Sequence, residues 1–343
     1  MKIAFVGEFG YNNGSSHAVY NYCRVGERRG HEISVSTEFG SRDEYIIKSF
    51  PLCRHLSGMD RVVFVFEGNR FLTEQDLKRI VKLIPRSRRV VLDPDGRGNG
   101  TVIVGDDSNH DPNNSKEDWH DLYRQISDLV LQPTLAVPQE FVVPFLYYGY
   151  EEVDNLWAEK QFSILYVGNN WNRWNDIKSL LTALEPKRAR IGRIGIKGQW
   201  WDGTTWPGKE RITTSDPAFL RRHSVEVSGS VPFGSVINAM SEGEINPIFV
   251  RPMLAAQGLA TPRMLETFSA NTIPILTRNT IYSRKLFGDP SDPLFVDENP
   301  ADKILEILDA RMNYLALVKG IRKSLRENHN YERRLDELLE LIG

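Results

Sequence analysis

The sequence has little cysteine, no long apolar run and almost no net charge. Cys23 and Cys53 are the only cysteines among 343 residues, which excludes a disulfide framework and offers no metal-ligand spacing. No stretch is long and apolar enough to span a bilayer, and the first residues lack the apolar core of a signal peptide. A cytoplasmic protein without membrane insertion is therefore expected. The formal net charge of −2 excludes a strong overall basic field for nucleic acid or anionic lipid, although a local basic patch stays open.

A glycine-rich dinucleotide fingerprint is also missing. The segment from Gly7 to Gly14 reads GEFGYNNG, which does not match G-x-G-x-x-G and argues against an NAD-dependent oxidoreductase. What is present is an ordinary globular composition, with 41% hydrophobic and 26% charged residues. The length suits two α/β domains.

An apolar run that ends in glycine occurs at the start of each half of the chain. KIAFVG (Lys2–Gly7) precedes a polar loop and a helix from about His17 to Arg29, and FSILYVG (Phe162–Gly168) restarts the pattern. Such runs predict buried parallel strands. The predicted fold class is α/β, with two Rossmann-like doubly wound domains that face each other across a cleft.

The segment Ala136–Gly149, rich in proline and aromatic residues, is interpreted as the crossover between these domains. The expected boundaries are 1–145 for an N-terminal Rossmann-like domain and 146–328 for a C-terminal Rossmann-like domain. A last helix within 329–343 is expected to pack back on the N-terminal domain.

The strongest local signal begins at Thr261. Thr261 is a good N-cap and Pro262 suits the first helical position, so a helix with an unsatisfied amide end is predicted here. That positive end is suited to phosphate. Arg263 can add a bidentate cation, and Glu266, one turn later, can reach a ribose diol. The alternative is a surface helix with a weak Arg263–Glu266 ion pair.

This segment resembles a known family. The pattern R-x-x-E-x-x-S-x-x-x-x-P-I-L from Arg263 resembles the nucleotide-sugar helix of GT-B glycosyltransferases, especially the CgeB-like group. The closing run Glu327–Leu339, and Ser163–Gly168 followed by Arg173, are similar to patterns of the same group. The MKIA start, the serine pair before the first helix and the late R-x-x-E are also similar to phage DNA β-glucosyltransferases. The resemblance covers most of the chain in patches. It implies the GT-B fold, with 1–145 as the acceptor domain and 146–328 as the sugar-nucleotide domain.

The resemblance implies donor-site roles. Glu266 is expected to bind ribose hydroxyls, Arg263 and Arg173 to meet the diphosphate, and Gly168 to lie where the second domain opens towards them. The sequence departs from the common retaining pattern, because the residue eight positions before Glu266 is Gly258 and not a second glutamate. A retaining mechanism of that subfamily is therefore put in doubt.

Two loops are further donor-site candidates. Gly229–Gly234 lies where these enzymes pass a loop over the nucleobase, so the backbone at Val231 or Phe233 can read the base edge; an ordinary Pro-Gly turn is the alternative. In the first domain, the loop that holds Gly14 and Ser15 can bring backbone amides to the donor phosphate or sugar. His17, at the start of the first helix, is a candidate general base or sugar contact, and a solvated histidine is the alternative.

Asp93 and Asp95 directly follow a predicted buried strand, where an acceptor-side base is expected. An inverting transfer needs a group that removes the acceptor proton, and a carboxylate can do this. By position, Asp95 resembles the base of the phage enzymes, and Asp93 is the second candidate. The pair is formally also a DxD metal–diphosphate motif, which the second Rossmann pattern and the arginine ligands disfavour. A turn stabilised by aspartates is the remaining alternative.

These patterns predict a metal-independent glycosyltransferase without a cofactor. It would move a sugar from a UDP- or dTDP-sugar to the hydroxyl of a small molecule, a glycan or modified DNA, as a monomer or a homodimer. A non-catalytic nucleotide-sugar-binding protein of the same fold is the alternative. Tryptophans near 171–174 and 200–206 would either stack on a ligand at the cleft rim or pack against their own loops.

Overall fold

The computed structural model describes residues 1–9, 14–39, 48–67, 70–100, 102–104, 107–108, 116–134, 142–153, 159–232, 234–277, 283–296 and 299–343. The strands in these ranges are β1 (Lys2–Gly7), β2 (Glu32–Ser36), β3 (Leu52–Cys53), β4 (Arg61–Val65), β5 (Arg89–Leu92), β6 (Ile103–Val104), β7 (Asp107–Ser108), β8 (Val130–Gln132), β9 (Val143–Pro144), β10 (Phe162–Val167), β11 (Ile194–Lys197), β12 (Val225–Ser228), β13 (Gly243–Pro247) and β14 (Ile273–Ile275). The helices are α1 (Gly14–Arg28), α2 (Glu74–Leu83), α3 (Lys116–Ile126), α4 (Trp174–Leu184), α5 (Glu210–Thr213), α6 (Pro217–Arg222), α7 (Val236–Met240), α8 (Pro252–Ala256), α9 (Pro262–Ser269), α10 (Arg284–Phe287), α11 (Pro300–Asp309), α12 (Arg311–Asn328) and α13 (Tyr331–Ile342).

The first half of the chain forms a seven-stranded sheet in the order β3-β2-β1-β4-β5-β8-β9. Every pairing in it is parallel. The central strands are buried almost throughout, since their apolar side chains pack under helices on both faces. We call this sheet with its helices the N-terminal lobe.

The second half forms a five-stranded parallel sheet in the order β12-β11-β10-β13-β14. We call it, with its helices, the C-terminal lobe. The chain leaves β10 towards β11 on one side and returns as β13 on the other, so the loops after β10 and β13 diverge. Ligands of open parallel sheets bind at such switch points. The predicted α/β class, with two doubly wound parallel sheets, is confirmed.

Local predictions met different outcomes. Thr73 and Asp76, a pairing that local sequence predicts, form a capping box at the start of α2, with the Asp76 amide donating to Thr73 Oγ1 at 3.1 Å. Of the segment interpreted as the crossover, 136–141 lie outside the described residues, and Val143–Pro144 adds an edge strand beside β8. Proline is tolerated at a sheet edge, where the missing amide costs no internal hydrogen bond.

The last helix returns to the N-terminal lobe. Tyr331 of α13 packs edge-on against Tyr22 of α1, with ring centroids 5.6 Å apart. Arg61 of β4 donates to the Ile342 carbonyl and, at 2.7 Å, to the Gly343 carbonyl, which fixes the end of α13. A helix formed by the end of the chain therefore contributes to the core of the first lobe.

The lobes also meet along the segment before α9. The Ala260 amide donates to the Pro133 carbonyl at 2.7 Å, and Leu259 forms an antiparallel bridge with Thr134. These contacts fix the start of α9 against the edge of the N-terminal lobe. At the other end of α9, Arg322 of α12 donates to the Phe268 carbonyl at 2.7 Å, which places a cation at the negative end of the helix.

Candidate active site

The start of α9 has a polar group with no partner. Thr261 occupies the N-cap with extended backbone and Pro262 follows in the first turn, as predicted from the sequence, but the Thr261 side chain caps no amide. Its Oγ1 is buried and has no hydrogen-bond partner among the described residues, and the residue is 9% exposed. A buried, unsatisfied hydroxyl is costly and uncommon in folded proteins, which marks this helix start as unusual.

Arg263 and Glu266 lie on the same side of α9. Arg263 Nη1 is 3.9 Å from Glu266 Oε2, and the two side chains are 22% and 15% exposed. The pair is thus partly shielded from water, unlike the exposed surface pair that was the alternative interpretation. Arg263 Nη1 also lies 3.7 Å from Met240 Sδ, which packs the guanidinium against α7.

The N-terminal lobe meets this helix with the start of α1. A Cβ on Gly14 would lie only 2.6 Å from Pro262 Cγ, so the two helix starts are in close contact. His17 Nδ1 is 3.9 Å from Glu266 Oε1, and its Nε2 is 3.8 Å from Glu151 Oε2. The structure therefore brings His17, Gly14, Pro262 and Glu266 together from distant parts of the sequence. We call this region the interlobe junction.

Glu67 is a member of the junction that sequence reasoning missed. It follows β4, and its two carboxylate oxygens accept the amides of Gly14 at 3.1 Å and Ser15 at 2.9 Å. Burial, and then the charge of Asp95, raise the pKa of Glu67 to about 7. The signal was available, because Glu67 follows a buried strand just as Asp95 does.

Glu67 also explains why α1 begins at Gly14 and not near His17. Its carboxylate satisfies the first amides of the helix, as an N-cap residue would do locally. The amides of Gly14 and Ser15, expected from the sequence to approach the donor, already have an acceptor within the protein.

Asp93 and Asp95 have different surroundings. Asp93 is fully buried and accepts hydrogen bonds from the Arg97 amide, the Gly98 amide and Gln132 Nε2, each at 2.9 Å. Burial raises the pKa of Asp93. These contacts fit a role in ordering the loop after β5 better than a role as an accessible base.

Asp95 lies nearer the surface of the same loop. Its side chain is 15% exposed, with Oδ2 3.7 Å from Arg97 Nη2. The next residue, Gly96, has a φ of +66°, and a Cβ there would lie 2.2 Å from Gln257 Oε1 of the C-terminal lobe. Only glycine fits this conformation and this close approach, which holds Asp95 at the boundary of the lobes.

The remaining donor candidates lie on loops of the C-terminal lobe. Arg173 precedes α4, and its Nη1 donates to the Trp171 carbonyl at 2.9 Å. Gly168 follows β10, and its carbonyl accepts Trp201 Nε1 at 2.8 Å. Val231 is half-buried and packs against a small apolar cluster under α7. Phe233 lies outside the described residues.

The tryptophans divide into core and surface members. Trp201 is fully buried, and Trp174 packs edge-on against Phe219. Trp171, Trp200 and Trp206 contact one another, with ring centroids 5.5 to 6.1 Å apart. This mutual packing agrees with the interpretation of tryptophans that cover their own loops.

Gly258 marks the departure from the retaining pattern. Its carbonyl accepts Thr134 Oγ1 of the N-terminal lobe at 3.4 Å. The position is therefore part of the contact between the lobes.

Within the described ranges, no three acidic, histidine or cysteine residues are grouped as a metal site would require. In the same ranges, no helix is long and apolar enough to cross a membrane.

Two parallel doubly wound sheets, with a last helix that returns to the first lobe, define the GT-B class of folds. Comparison with solved structures agrees over the whole chain. An alpha-glucosyltransferase in complex with UDP-glucose and DNA containing an abasic site is 11% identical, with 100% of this chain and 99% of that chain covered and a TM-score of 0.65. An alpha-glucosyltransferase in complex with UDP and a 13-mer DNA with a central A:G mismatch is 13% identical, with 99% and 98% covered and a TM-score of 0.67.

A T4 phage BGT in complex with UDP and Mn²⁺ is also similar, at 13% identity, with 100% of both chains covered and a TM-score of 0.61. A scan against protein-family models and a search of curated proteins gave no match. At these identities the similarity shows the fold, and the function has to be argued from the site.

Proposed function

We propose that the protein is a glycosyltransferase that moves a sugar from a UDP- or dTDP-sugar to an acceptor hydroxyl. The observation that carries this proposal is the buried, unpartnered hydroxyl of Thr261 at the amide end of α9, where that helix faces the other lobe. Whole-chain similarity of fold to structures described with UDP or UDP-glucose supports it.

The donor diphosphate would bind at the start of α9. Thr261 Oγ1 would donate to a phosphate oxygen, and the helix end at Pro262 would add its positive partial charge. Arg263 would swing from its 3.9 Å contact with Glu266 to the diphosphate. Glu266 would then be free for the ribose hydroxyls.

The loops after β10 and β12 would complete the donor site. Arg173 would contribute a second cation, beside the backbone of Gly168. The backbone at Val231 would read the base edge. These roles follow the GT-B resemblance and the position of the loops at the carboxyl ends of their strands.

On the acceptor side, Asp95 would act as the general base of an inverting transfer. It is the more exposed of the two aspartates after β5 and lies at the lobe boundary. His17 would contact the donor sugar or ribose beside Glu266, 3.9 Å away. Asp93 would order the loop that carries Asp95.

The transfer is proposed to be metal-independent. The α9 end and the two arginines would neutralise the departing diphosphate, which is the task of a metal in other glycosyltransferases. Since one similar structure was determined with UDP and Mn²⁺, this part needs its own test. Activity that persists in EDTA is the expected outcome.

The acceptor is proposed to be DNA that carries a hydroxyl, since the two alpha-glucosyltransferases are described in complexes with DNA. Glycans and small molecules are the alternatives that an acceptor screen would separate. Among GT-B glycosyltransferases we place the chain beside the CgeB-like group, on the sequence patterns at Arg263 and at the closing helix.

The direct test is a thermal-shift panel of UDP, dTDP, GDP and NAD, each with and without EDTA. UDP or dTDP should raise the melting temperature and NAD should not. Glu266→Ala should abolish the nucleotide response and leave the ligand-free melting temperature nearly unchanged, because the ion pair of this side chain with Arg263 is long, at 3.9 Å. A variant that responds like the wild type would contradict the ribose assignment.

A second candidate is a nucleotide-sugar-binding protein without catalysis. The glycine at 258, where the retaining pattern has a glutamate, favours it. This candidate predicts UDP binding with no hydrolysis of UDP-glucose, whereas the transferase should hydrolyse the donor slowly in water.

A further inference from the structure

Glu67 is a carboxylate at the interlobe junction that the proposed transfer does not use. Its carboxylate accepts the Gly14 amide at 3.1 Å and the Ser15 amide at 2.9 Å. These residues precede it by more than fifty positions in the sequence. Both its oxygens are engaged in these bonds. A charged acceptor on backbone amides gives stronger and more directional bonds than a neutral one.

The amides that Glu67 holds lie at the lobe contact. Gly14 packs on Pro262, since a Cβ at Gly14 would reach Pro262 Cγ at 2.6 Å. One turn later, His17 lies 3.9 Å from Glu266. The orientation of the first turn of α1 therefore sets the relation of His17 to the donor helix.

Several ionisable groups surround Glu67. Asp95 lies beside it from the loop after β5, and Tyr147 and Tyr148 interact with it from the segment after β9. Burial and the neighbouring Asp95 charge raise the pKa of Glu67 to about 7. Its ionised form accepts both amides, whereas protonation converts one oxygen into a donor and removes one acceptor.

We propose that Glu67 is a positioning residue for the transfer: it holds the first turn of α1 so that His17 and Gly14 meet α9 in the arrangement that binds the donor. The proposal rests on the proposed function. It assigns Glu67 an effect on donor affinity through α1, and no contact with the reacting atoms.

The test measures UDP affinity by calorimetry between pH 6 and pH 8 for the wild type, Glu67→Gln and Glu74→Gln. Glu74 is an exposed first-turn carboxylate of α2 and is the matched control. Wild-type affinity should weaken as the pH falls through about 7, where Glu67 takes up its proton. Glu67→Gln should bind roughly tenfold more weakly at pH 8, as expected for one lost charge-assisted hydrogen bond, and its affinity should be much less dependent on pH.

A stability measurement separates positioning from a purely structural role. Because the pKa of Glu67 is raised in the folded protein, its contribution to wild-type stability is present at low pH and is lost as the pH rises through about 7. Gln at this position does not titrate, so the variant does not lose stability over this pH range. The melting temperature of Glu67→Gln, measured relative to the wild type, should therefore rise from pH 6 to pH 8, while its UDP affinity stays low. A purely structural residue would lower stability at both pH values and leave UDP affinity unchanged.

The outcomes distinguish this inference from the proposed function. If the wild type does not bind UDP, the proposed function fails. If the wild type binds UDP and Glu67→Gln shows the same affinity and pH dependence, only the role of Glu67 fails. Should Glu67→Gln not fold, Glu67→Asp keeps the charge and is expected to bind more weakly than the wild type while retaining the pH dependence; wild-type affinity in this variant would overturn the proposal.

Discussion

Two helix starts meet at the lobe contact, and the polar side chains beside them are bonded differently. The first amides of α1 donate to Glu67, so the protein supplies its own anion there. At the start of α9, the Thr261 side chain caps nothing and its buried Oγ1 has no partner. Both helix ends carry positive partial charge; at α1 a carboxylate of the protein balances it, and at α9 we propose that the donor diphosphate balances it.

This difference gives the two lobes separate tasks. An end already occupied by a carboxylate repels a phosphate, so the donor diphosphate is expected at α9 and not at α1. In the proposed transfer the N-terminal lobe would contribute Asp95 on the acceptor side and His17 beside the donor sugar. The comparison therefore assigns charge neutralisation to one lobe and proton transfer to the other.

The largest expected effect tests the division of tasks. Asp95→Asn should lower the rate of transfer by roughly 10²- to 10⁴-fold, because the base is lost, while the UDP-induced thermal shift stays close to that of the wild type. Steady-state rates and thermal shifts on one preparation measure both.

Asp93→Asn is the matched control for that variant. Asp93 is fully buried with three donors, so its change should lower the melting temperature, an effect not expected for Asp95→Asn. If Asp93→Asn abolished transfer without loss of stability, and Asp95→Asn did not, the assignment of the base would be reversed.

A smaller effect is expected when the unpartnered hydroxyl of Thr261, at the start of α9, is removed. Thr261→Val removes a buried hydroxyl that has no partner, so the ligand-free melting temperature should rise by about 2 to 4 °C. UDP should bind about three- to tenfold more weakly, since one hydrogen bond to the diphosphate is lost.

Thr267→Val is the control on the same helix. Thr267 Oγ1 donates to the Arg263 carbonyl at 2.8 Å, so this change removes a satisfied hydrogen bond. It should not raise the melting temperature and should leave UDP affinity unchanged. Equal behaviour of the two variants would show that Thr261 is not at the donor site.

The smallest effect concerns the contact between the helix starts. Gly14→Ala places a Cβ 2.6 Å from Pro262 Cγ, so one of the helix starts must shift by a few tenths of an ångström or more. UDP affinity should fall about two- to threefold, a cost of order 0.5 kcal/mol. Gly58→Ala, whose Cβ would meet nothing within 4 Å, is the control, and a similar loss in both would remove the argument for a functional lobe contact.

Much of this arrangement could be predicted from local sequence. The apolar runs before Gly7 and Gly168 predicted the parallel strands, and Thr261 with Pro262 predicted where α9 begins, since strand burial and helix capping depend on adjacent residues. The last helix, expected within 329–343, is α13 (Tyr331–Ile342).

The features of the site that local sequence does not predict depend on residues far apart in the chain. The start of α1 at Gly14 depends on Glu67, which reaches it only after the β1–β4 pairing is formed. Glu151 likewise meets His17 only through the path of the chain after β9. The different surroundings of Asp93 and Asp95 also depend on distant residues, since Gln132 donates to Asp93 and Gln257 approaches Gly96 beside Asp95.

The most direct test of the comparison is a crystal structure with UDP bound. We expect a diphosphate oxygen within about 3.2 Å of Thr261 Oγ1, with Glu67 still bound to the amides of Gly14 and Ser15. A diphosphate seated on those two amides, with Glu67 displaced and Thr261 still unpartnered, would contradict it.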